Sequence, residues 1–230
     1  MRRSLTMAAL AAALLLGAAC QTIRPTGAPS GRTPVVFVHG WTADETMWAP
    51  AVDAFRSAGY TSGDITVVYY DSALPARDAA AVLATEVDHL RSYTGRSKVD
   101  IVSHSYGSMV TRYCIELGGC AGEVDHWMSL AGADNGTSIA GLCAILQPSC
   151  QDMSGQSTTV AELQAAWSQI GAQGVEVEVQ WSRNDGVILP ATNSPNPPPA
   201  VNVEVPSTLT HNDLPKDPGV LSETIAFFAR

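Results

Sequence analysis

Short, mostly apolar runs alternate along this chain with longer stretches whose apolar positions recur every three to four residues. Pro34-Val-Val-Phe-Val38, Ile65-Thr-Val-Val-Tyr-Tyr70, Lys98-Val-Asp-Ile-Val102 and Val124-Asp-His-Trp-Met-Ser-Leu130 have strand length and are rich in β-branched and aromatic residues. Such runs suit strands buried on both faces of a parallel sheet. Between them, Met47–Ala58, Arg77–Tyr93 and Ser108–Leu117 carry helical spacing, and the first two stop at Gly59 and Gly95, as a helix does where glycine accepts the left-handed conformation. Val175–Trp181 alternates with period two and suggests a strand with one wetter face. Thr158–Ser168 and Pro218–Phe228 read as helices and Val201–Val205 as a last strand, while residues 131–156 form an irregular excursion and 190–199 a proline-rich loop. Strands alternating with helices predict an α/β fold, a doubly wound and mainly parallel sheet with helices on both faces. Residues 34–230 are expected to form one domain, and residues 20–33, with Pro, Gly and Ser but no period, a linker or loose arm.

The 230 residues, 46% of them hydrophobic, suffice for one substantial core and not comfortably for two. A net charge of −9, with Lys and Arg scattered, argues against nucleic-acid binding, which needs a basic patch. Met1-Arg2-Arg3 followed by apolar Leu5–Leu16 and small Gly17-Ala18-Ala19 reads as an export signal over residues 1–19, too short to anchor in a bilayer. Cys20 directly follows it. A lipidated, membrane-attached protein and a freely secreted one both remain open, because Leu16 lies one place earlier than a lipidation site normally has its leucine. The other four cysteines suit an oxidising compartment and allow three pairings. Cys114–Cys120 with Cys143–Cys150 is favoured because both close short loops; buried free thiols are the weaker choice. No C-x-x-C or histidine pair has ligand spacing, so neither a metal site nor a cofactor is expected.

The chemistry centres on Ser103-His104-Ser105-Tyr106-Gly107, which joins an apolar run to a helix-like one. A tight strand-to-helix turn exposes a serine nucleophile, and it needs small residues two before and two after, because the two backbones crowd there. Gly107 meets that need, and Ser103 stands where a glycine is usual. Acyl transfer from serine also needs a base, a carboxylate to orient the base, and donors for the developing oxyanion. Of the five histidines only His211 follows Ser105 at a distance and lies beyond the last strand. Asp185, in Ser182-Arg-Asn-Asp-Gly-Val-Ile188, is the expected acid, with Asp134 its rival; Asp213 is too close to His211. The backbone N–H groups of Tyr106 and Trp41 are the expected oxyanion donors, whereas His39 and His104 read as structural.

Pro34-Val-Val-Phe-Val-His-Gly40, Val99-Asp-Ile-Val-Ser-His-Ser-Tyr-Gly107, Leu130-Ala-Gly-Ala-Asp-Asn-Gly-Thr137 and Ser182–Ile188, in that order, resemble the successive motifs of secreted bacterial triacylglycerol lipases of the class 2 family. The resemblance runs from Pro34 to the C-terminus and implies a single-domain α/β-hydrolase with little or no lid, Ser105 as nucleophile, Asp185 as acid, His211 as base, and Trp41 and Tyr106 as oxyanion donors. It also implies a disulfide between Cys143 and Cys150. The chain departs from the family pattern at Asp134-Asn135-Gly136 and at Thr210-His211-Asn212.

The expected activity is ester hydrolysis, as a lipase or carboxylesterase outside the cytoplasm, on small-molecule or lipid esters of short to medium acyl length. Leu74, Ile139, Leu142, Ile188 and Leu189 are the apolar candidates for an acyl groove, and residues 138–156 for a short disulfide-pinned cap. A monomer is expected. The other readings are a polyester depolymerase or envelope acyltransferase on the same fold, and an inactive envelope-binding relative.

Overall fold

The computed structural model describes residues 20–230, so the export signal expected over residues 1–19 lies outside the described residues. Six strands form one sheet: β1 (Val35–Val38), β2 (Ile65–Val68), β3 (Val99–His104), β4 (Val124–Leu130), β5 (Glu176–Trp181) and β6 (Val201–Glu204). Their spatial order is β2-β1-β3-β4-β5-β6 and every neighbouring pair is parallel. The chain leaves β1 toward one edge, returns through β3 and proceeds to the other edge. The loops after β1 and β3 therefore meet where the order reverses, the place at which open α/β sheets build their sites.

Among the described residues there are seven α-helices: α1 (Ala49–Ser57), α2 (Ala76–Thr94), α3 (Tyr106–Glu116), α4 (Pro148–Met153), α5 (Thr158–Ala166), α6 (Ser168–Ala172) and α7 (Pro218–Phe227). The pleat sends alternate side chains to opposite faces, and two cores result. Val36, Val38, Ile101, Trp127 and Val179 face α2, α3, α5 and α6. Val35, Phe37, Val102, Met128 and Leu130 face α1 and α7. A single domain with helices on both faces matches the expectation from the apolar runs.

Several local expectations need correction. β3 runs two residues past Val102, because Ser103 and His104 still pair with Ser129 and Leu130 of β4. Met47 lies in a 3₁₀ turn (Glu45–Trp48), with α1 beginning at Ala49. The wetter face expected of β5 is confined to Glu176, which is exposed, while Glu178 and Gln180 on the same face are buried. Gln180 Nε2 donates to Glu178, and Arg230 reaches the same carboxylate at 3.5 Å. The excursion at 131–156 contains a 3₁₀ turn (Ser138–Leu142) and α4.

Residues 21–33 are strapped to the domain and are not a loose arm. Ile23 pairs antiparallel with Val67 of the edge strand β2. Arg24 forks onto Glu86 of α2 at 3.0 and 2.8 Å. The buried Asp64 carboxylate, which must find donors, accepts from the Ser30 and Thr61 N–H groups. Disulfides join Cys114 to Cys120 after α3 and Cys143 to Cys150 ahead of and within α4. Among the described residues no helix is long and apolar enough to cross a membrane.

Helix α3 is buried along its whole length, and Arg112 is its one fully enclosed cation. Its guanidinium bonds Glu116 at 2.7 Å and the carbonyls of Asp134 (2.6 Å) and Leu163 (2.7 Å), with Trp167 stacked 4.9 Å away. One side chain thus ties α3 to the loop after β4 and to α5. Burial pushes the Glu116 carboxyl up to about 7, against the pull of Arg112. Removing one partner of such a buried pair strands the other. Arg112→Ala should therefore lower stability to chemical denaturation by about 3–5 kcal/mol. His126 offers a pH-dependent counterpart. Its Nδ1 lies 2.8 Å from the buried Asp100 carboxylate, and that hydrogen bond raises its pKa above the ordinary 6.5. The stabilisation is full below pH 6.5 and is lost as pH rises through the raised folded value. Denaturation midpoints measured from pH 6 to 8.5 should fall for the wild type, with a shallower fall for His126→Gln.

Candidate active site

The turn between β3 and α3 places Ser105 at φ 56, ψ −125, a conformation that non-glycine residues rarely adopt. The neighbouring contacts hold it there. The Ser105 N–H donates to the Leu130 carbonyl at 3.1 Å, and the Ser105 carbonyl accepts from Ser108 and Ala133 at 3.0 Å each. A Cβ at Gly107 would lie 2.5 Å from the carbonyl oxygens of Val38 and His39. A Cβ at Gly40 would lie 2.8 Å from the Ser105 Cβ. The loop after β1 and the serine turn thus touch backbone to backbone.

Ser103 fits two residues before Ser105 because its hydroxyl has a place in a buried chain of hydrogen bonds. Trp127 Nε1 donates to Ser103 at 2.8 Å; Ser103 and Ser108 are 2.9 Å apart, Ser108 and Ser129 3.0 Å, and Ser129 donates to Asp134 Oδ2 at 2.9 Å. One direction satisfies every hydroxyl: the indole to Ser103, then Ser108, Ser129 and finally the carboxylate. Asn196 also donates to Asp134 Oδ2 at 3.0 Å. Burial pushes Asp134 up to about 6. Its Oδ2 accepts from Ser129 and Asn196, and His211 Nδ1 pairs with Asp185 and not with this rival acid.

Asp185 and His211 come together. Asp185 Oδ2 lies 2.9 Å from His211 Nδ1, and Oδ1 accepts from the N–H groups of Val187 (2.9 Å) and Ile188 (2.6 Å). The His211 N–H in turn donates to the Asp185 carbonyl at 3.0 Å. An ionised carboxylate only accepts, so Nδ1 carries the proton and Nε2 presents its lone pair. His104 adds a further restraint. Its Nε2 lies 3.0 Å from the His211 carbonyl, and burial holds its pKa well below the ordinary value, so it is a neutral donor. Asp213 caps its own loop through Thr210. His39 is buried and stacks on Tyr70 at 4.3 Å, with Nδ1 on the Gly40 carbonyl; burial lowers its pKa. Both are buried, and His104 also lines the cavity that Ser105 and His211 share.

Ser105 and His211 line one cavity of about 260 Å³. Of the groove candidates, Ile139 and Ile188 line it, and Trp41 stands beside them. Leu74, Leu142 and Leu189 do not. Leu74 packs against the core, and its carbonyl accepts from the Tyr106 hydroxyl at 2.8 Å. Leu142 and Leu189 are exposed because their side chains turn away from the wall their neighbours build. Met47, Ala140, Met153, Val187 and Pro215 also line the cavity and escaped notice in the sequence. Val187 adjoins Ile188 and was accessible to the same argument; Met47 was hidden by its place in a helical pattern. Thr137 ties two walls together, donating to the Val187 carbonyl at 2.7 Å and accepting from the Leu189 N–H at 3.0 Å.

The family described as Lipase (class 2) matches residues 32–204, and the chain belongs to that family. The fold is similar to that of Bacillus licheniformis lipase BlEst2 in mature form, with a TM-score of 0.77 and 16% identity, covering 90% of this chain and 96% of that one. Aspergillus fumigatus lipase B gives a TM-score of 0.76 at 15% identity, covering 91% of this chain and 56% of that one. Phospholipase PlaB from Legionella pneumophila, in complex with thio-NAD, gives 0.61 at 16% identity, over 86% and 62%. At these identities the likeness is one of fold.

The contact at Gly107 leaves no room for a methyl group, whereas a Cβ at Gly141 would meet nothing within 4 Å. Gly107→Ala should lose about 3 kcal/mol or more of folding stability, and Gly141→Ala should stay close to wild type. Urea denaturation of the two variants side by side checks the difference.

Proposed function

We propose that this class 2 lipase is a serine ester hydrolase acting outside the cytoplasm, with Ser105 as nucleophile, His211 as base and Asp185 as the acid that orients it. The observation that carries this reading is the 2.9 Å contact between Asp185 Oδ2 and His211 Nδ1, beside the cavity that Ser105 also lines. The tautomer it sets leaves Nε2 ready to take a proton.

In the proposed first step His211 Nε2 takes the hydroxyl proton as Ser105 Oγ attacks the ester carbonyl. The backbone N–H groups of Tyr106 and Trp41 receive the oxyanion. Tyr106 opens α3, where N–H groups have no partner within the helix. In the loop after β1, the Thr42 N–H is taken by Ser72 Oγ and the Ala43 N–H by the Gly40 carbonyl, which makes Trp41 the donor of choice. His211 returns the proton to the departing alcohol. Water then attacks the acyl-enzyme with the same base, and Ser105 regains its proton. Asp185 keeps the imidazole in place and stabilises its charged form throughout. The side chains of Ile139, Ile188, Met153 and Val187 form an apolar wall suited to an acyl group of short to medium length. The two disulfides support an extracytoplasmic site of action. Cys20 is exposed and unpaired, and the mass of the exported protein distinguishes a lipidated Cys20 from a free one.

Hydrolysis of a series of p-nitrophenyl esters tests the assignment. Ser105→Ala and His211→Ala should each lose about 10⁴-fold or more in kcat, and Asp185→Asn on the order of 10³–10⁴-fold. A fluorophosphonate should label the wild type at Ser105 and leave Ser105→Ala unmodified. Full activity in Asp185→Asn, or no hydrolysis of any ester by the folded wild type, contradicts the proposal.

A further inference from the structure

β4 carries one residue more than β3 near the start of the two strands. Val99 pairs with Val124 and Ile101 with Trp127, so Asp125 and His126 together stand against Asp100 alone. In a regular strand adjacent side chains point to opposite faces. A bulge re-aims one of them, and here the three side chains converge. His126 Nδ1 lies 2.8 Å from Asp100 Oδ1 and 3.9 Å from Asp125 Oδ2. Each of the three residues offers a ligand atom within 4.8 Å of the other two. Asp100 is fully buried, and its Oδ2 has no hydrogen-bond partner among the described residues. A buried carboxylate oxygen without a donor is costly, and a cation held by this carboxylate removes the cost.

We propose that Asp100, Asp125 and His126 bind one divalent transition-metal cation of the zinc type, which clamps β3 to β4 at the end of the sheet opposite Ser105. Asp100 is the second residue of β3, and Ser105 follows the last. One imidazole nitrogen and two carboxylate oxygens suit such an ion, whereas calcium and magnesium take oxygens alone and in larger number. Bonds of about 2.0–2.1 Å in tetrahedral geometry hold ligand atoms roughly 3.4 Å apart. The separations of 2.8 and 3.9 Å fall on either side of that value, so shifts of about half an ångström form the site. Nδ1 then gives its lone pair to the metal, and the ring proton resides on Nε2. Charge favours the same occupant. Lys98 takes Asp125 Oδ1 at 3.2 Å and leaves Oδ2 on the histidine side. Glu176, exposed on β5, stands in register with His126, so three carboxylates surround one ammonium. The Asp125 side chain is 42% exposed, which gives the ion a way in and water the remaining coordination position. An Asp-His pair and an aspartate 25 residues before it match no familiar ligand spacing, and only the bulge brings them together.

The full chain is freed of metal with EDTA, and zinc chloride is titrated in by calorimetry. The wild type should bind one zinc per chain at roughly micromolar concentration, and its thermal midpoint should rise with added zinc. Asp100→Asn, Asp125→Ala and His126→Gln should each weaken binding at least tenfold and lose the zinc-dependent rise. Circular dichroism reports folding. The half-exposed Asp125 keeps the test decisive even where the Asp100 variant does not fold. His211→Ala controls for the imidazole in the Ser105 cavity and should bind zinc as the wild type does. Failure of the folded wild type to take up zinc overturns the proposal, as do saturation only at millimolar zinc and equal binding by wild type, Asp125→Ala and His126→Gln. Binding lost in His211→Ala but kept in His126→Gln assigns the ion to the Ser105 cavity and also overturns it.

Discussion

Two stretches of backbone occupy nearly the same space where the loop after β1 passes the turn between β3 and α3. Gly40 and Gly107 make that approach possible, since a single methyl group at either would collide with the Ser105 Cβ or with two carbonyl oxygens. The strained φ of Ser105 survives because three hydrogen bonds from β4, the loop after it and α3 fix the peptide on both sides. Strain of this kind persists only where the surroundings over-determine it. The geometry of the cavity, the entry of α3 and the position of the loop holding Trp41 all follow from that contact.

The core behind the turn is unusually polar for a helix buried on all sides. A line of hydroxyls runs from Trp127 through Ser103, Ser108 and Ser129 to Asp134, and Arg112 reaches the backbone of the same aspartate. Asp134 is therefore the end point of two networks that both anchor α3. The Asp185 carboxylate meets an imidazole, whereas the Asp134 carboxylate accepts from Ser129 and Asn196. The two carboxylates follow the successive strands β4 and β5, yet one closes a buried hydroxyl chain and the other pairs with His211.

The strands and most helices were legible because sheet burial writes itself as short β-branched runs, and Val124–Leu130 matched residue for residue. The Ser105 turn, Asp185 and His211 were legible because each sits in a loop directly after a strand. What escaped was what depends on the direction of a side chain. Leu142 and Leu189 look identical in a sequence to Ile139 and Ile188, yet they point away from the cavity. β5 alternates like a half-wet strand, but only Glu176 is exposed and Glu178 and Gln180 are buried. Residues 21–33 carry no periodicity, so nothing in them announced that their backbone would pair with Val67, Ser62 and Asp64, 34 to 44 residues away.

That N-terminal segment bears on how the molecule behaves in a crowd of its own kind. β2 ends the sheet and, left bare, would offer a row of unused amides and carbonyls for another chain to copy. The Ile23–Val67 bridge occupies the centre of that row, and the Arg24–Glu86 fork clamps the cover in place. At the opposite edge β6 is four residues long and is followed at once by Val205-Pro206, with prolines at 197 to 199 just before it. One border is sealed and the other is kept short and interrupted, so the sheet has little edge from which an aggregate could grow.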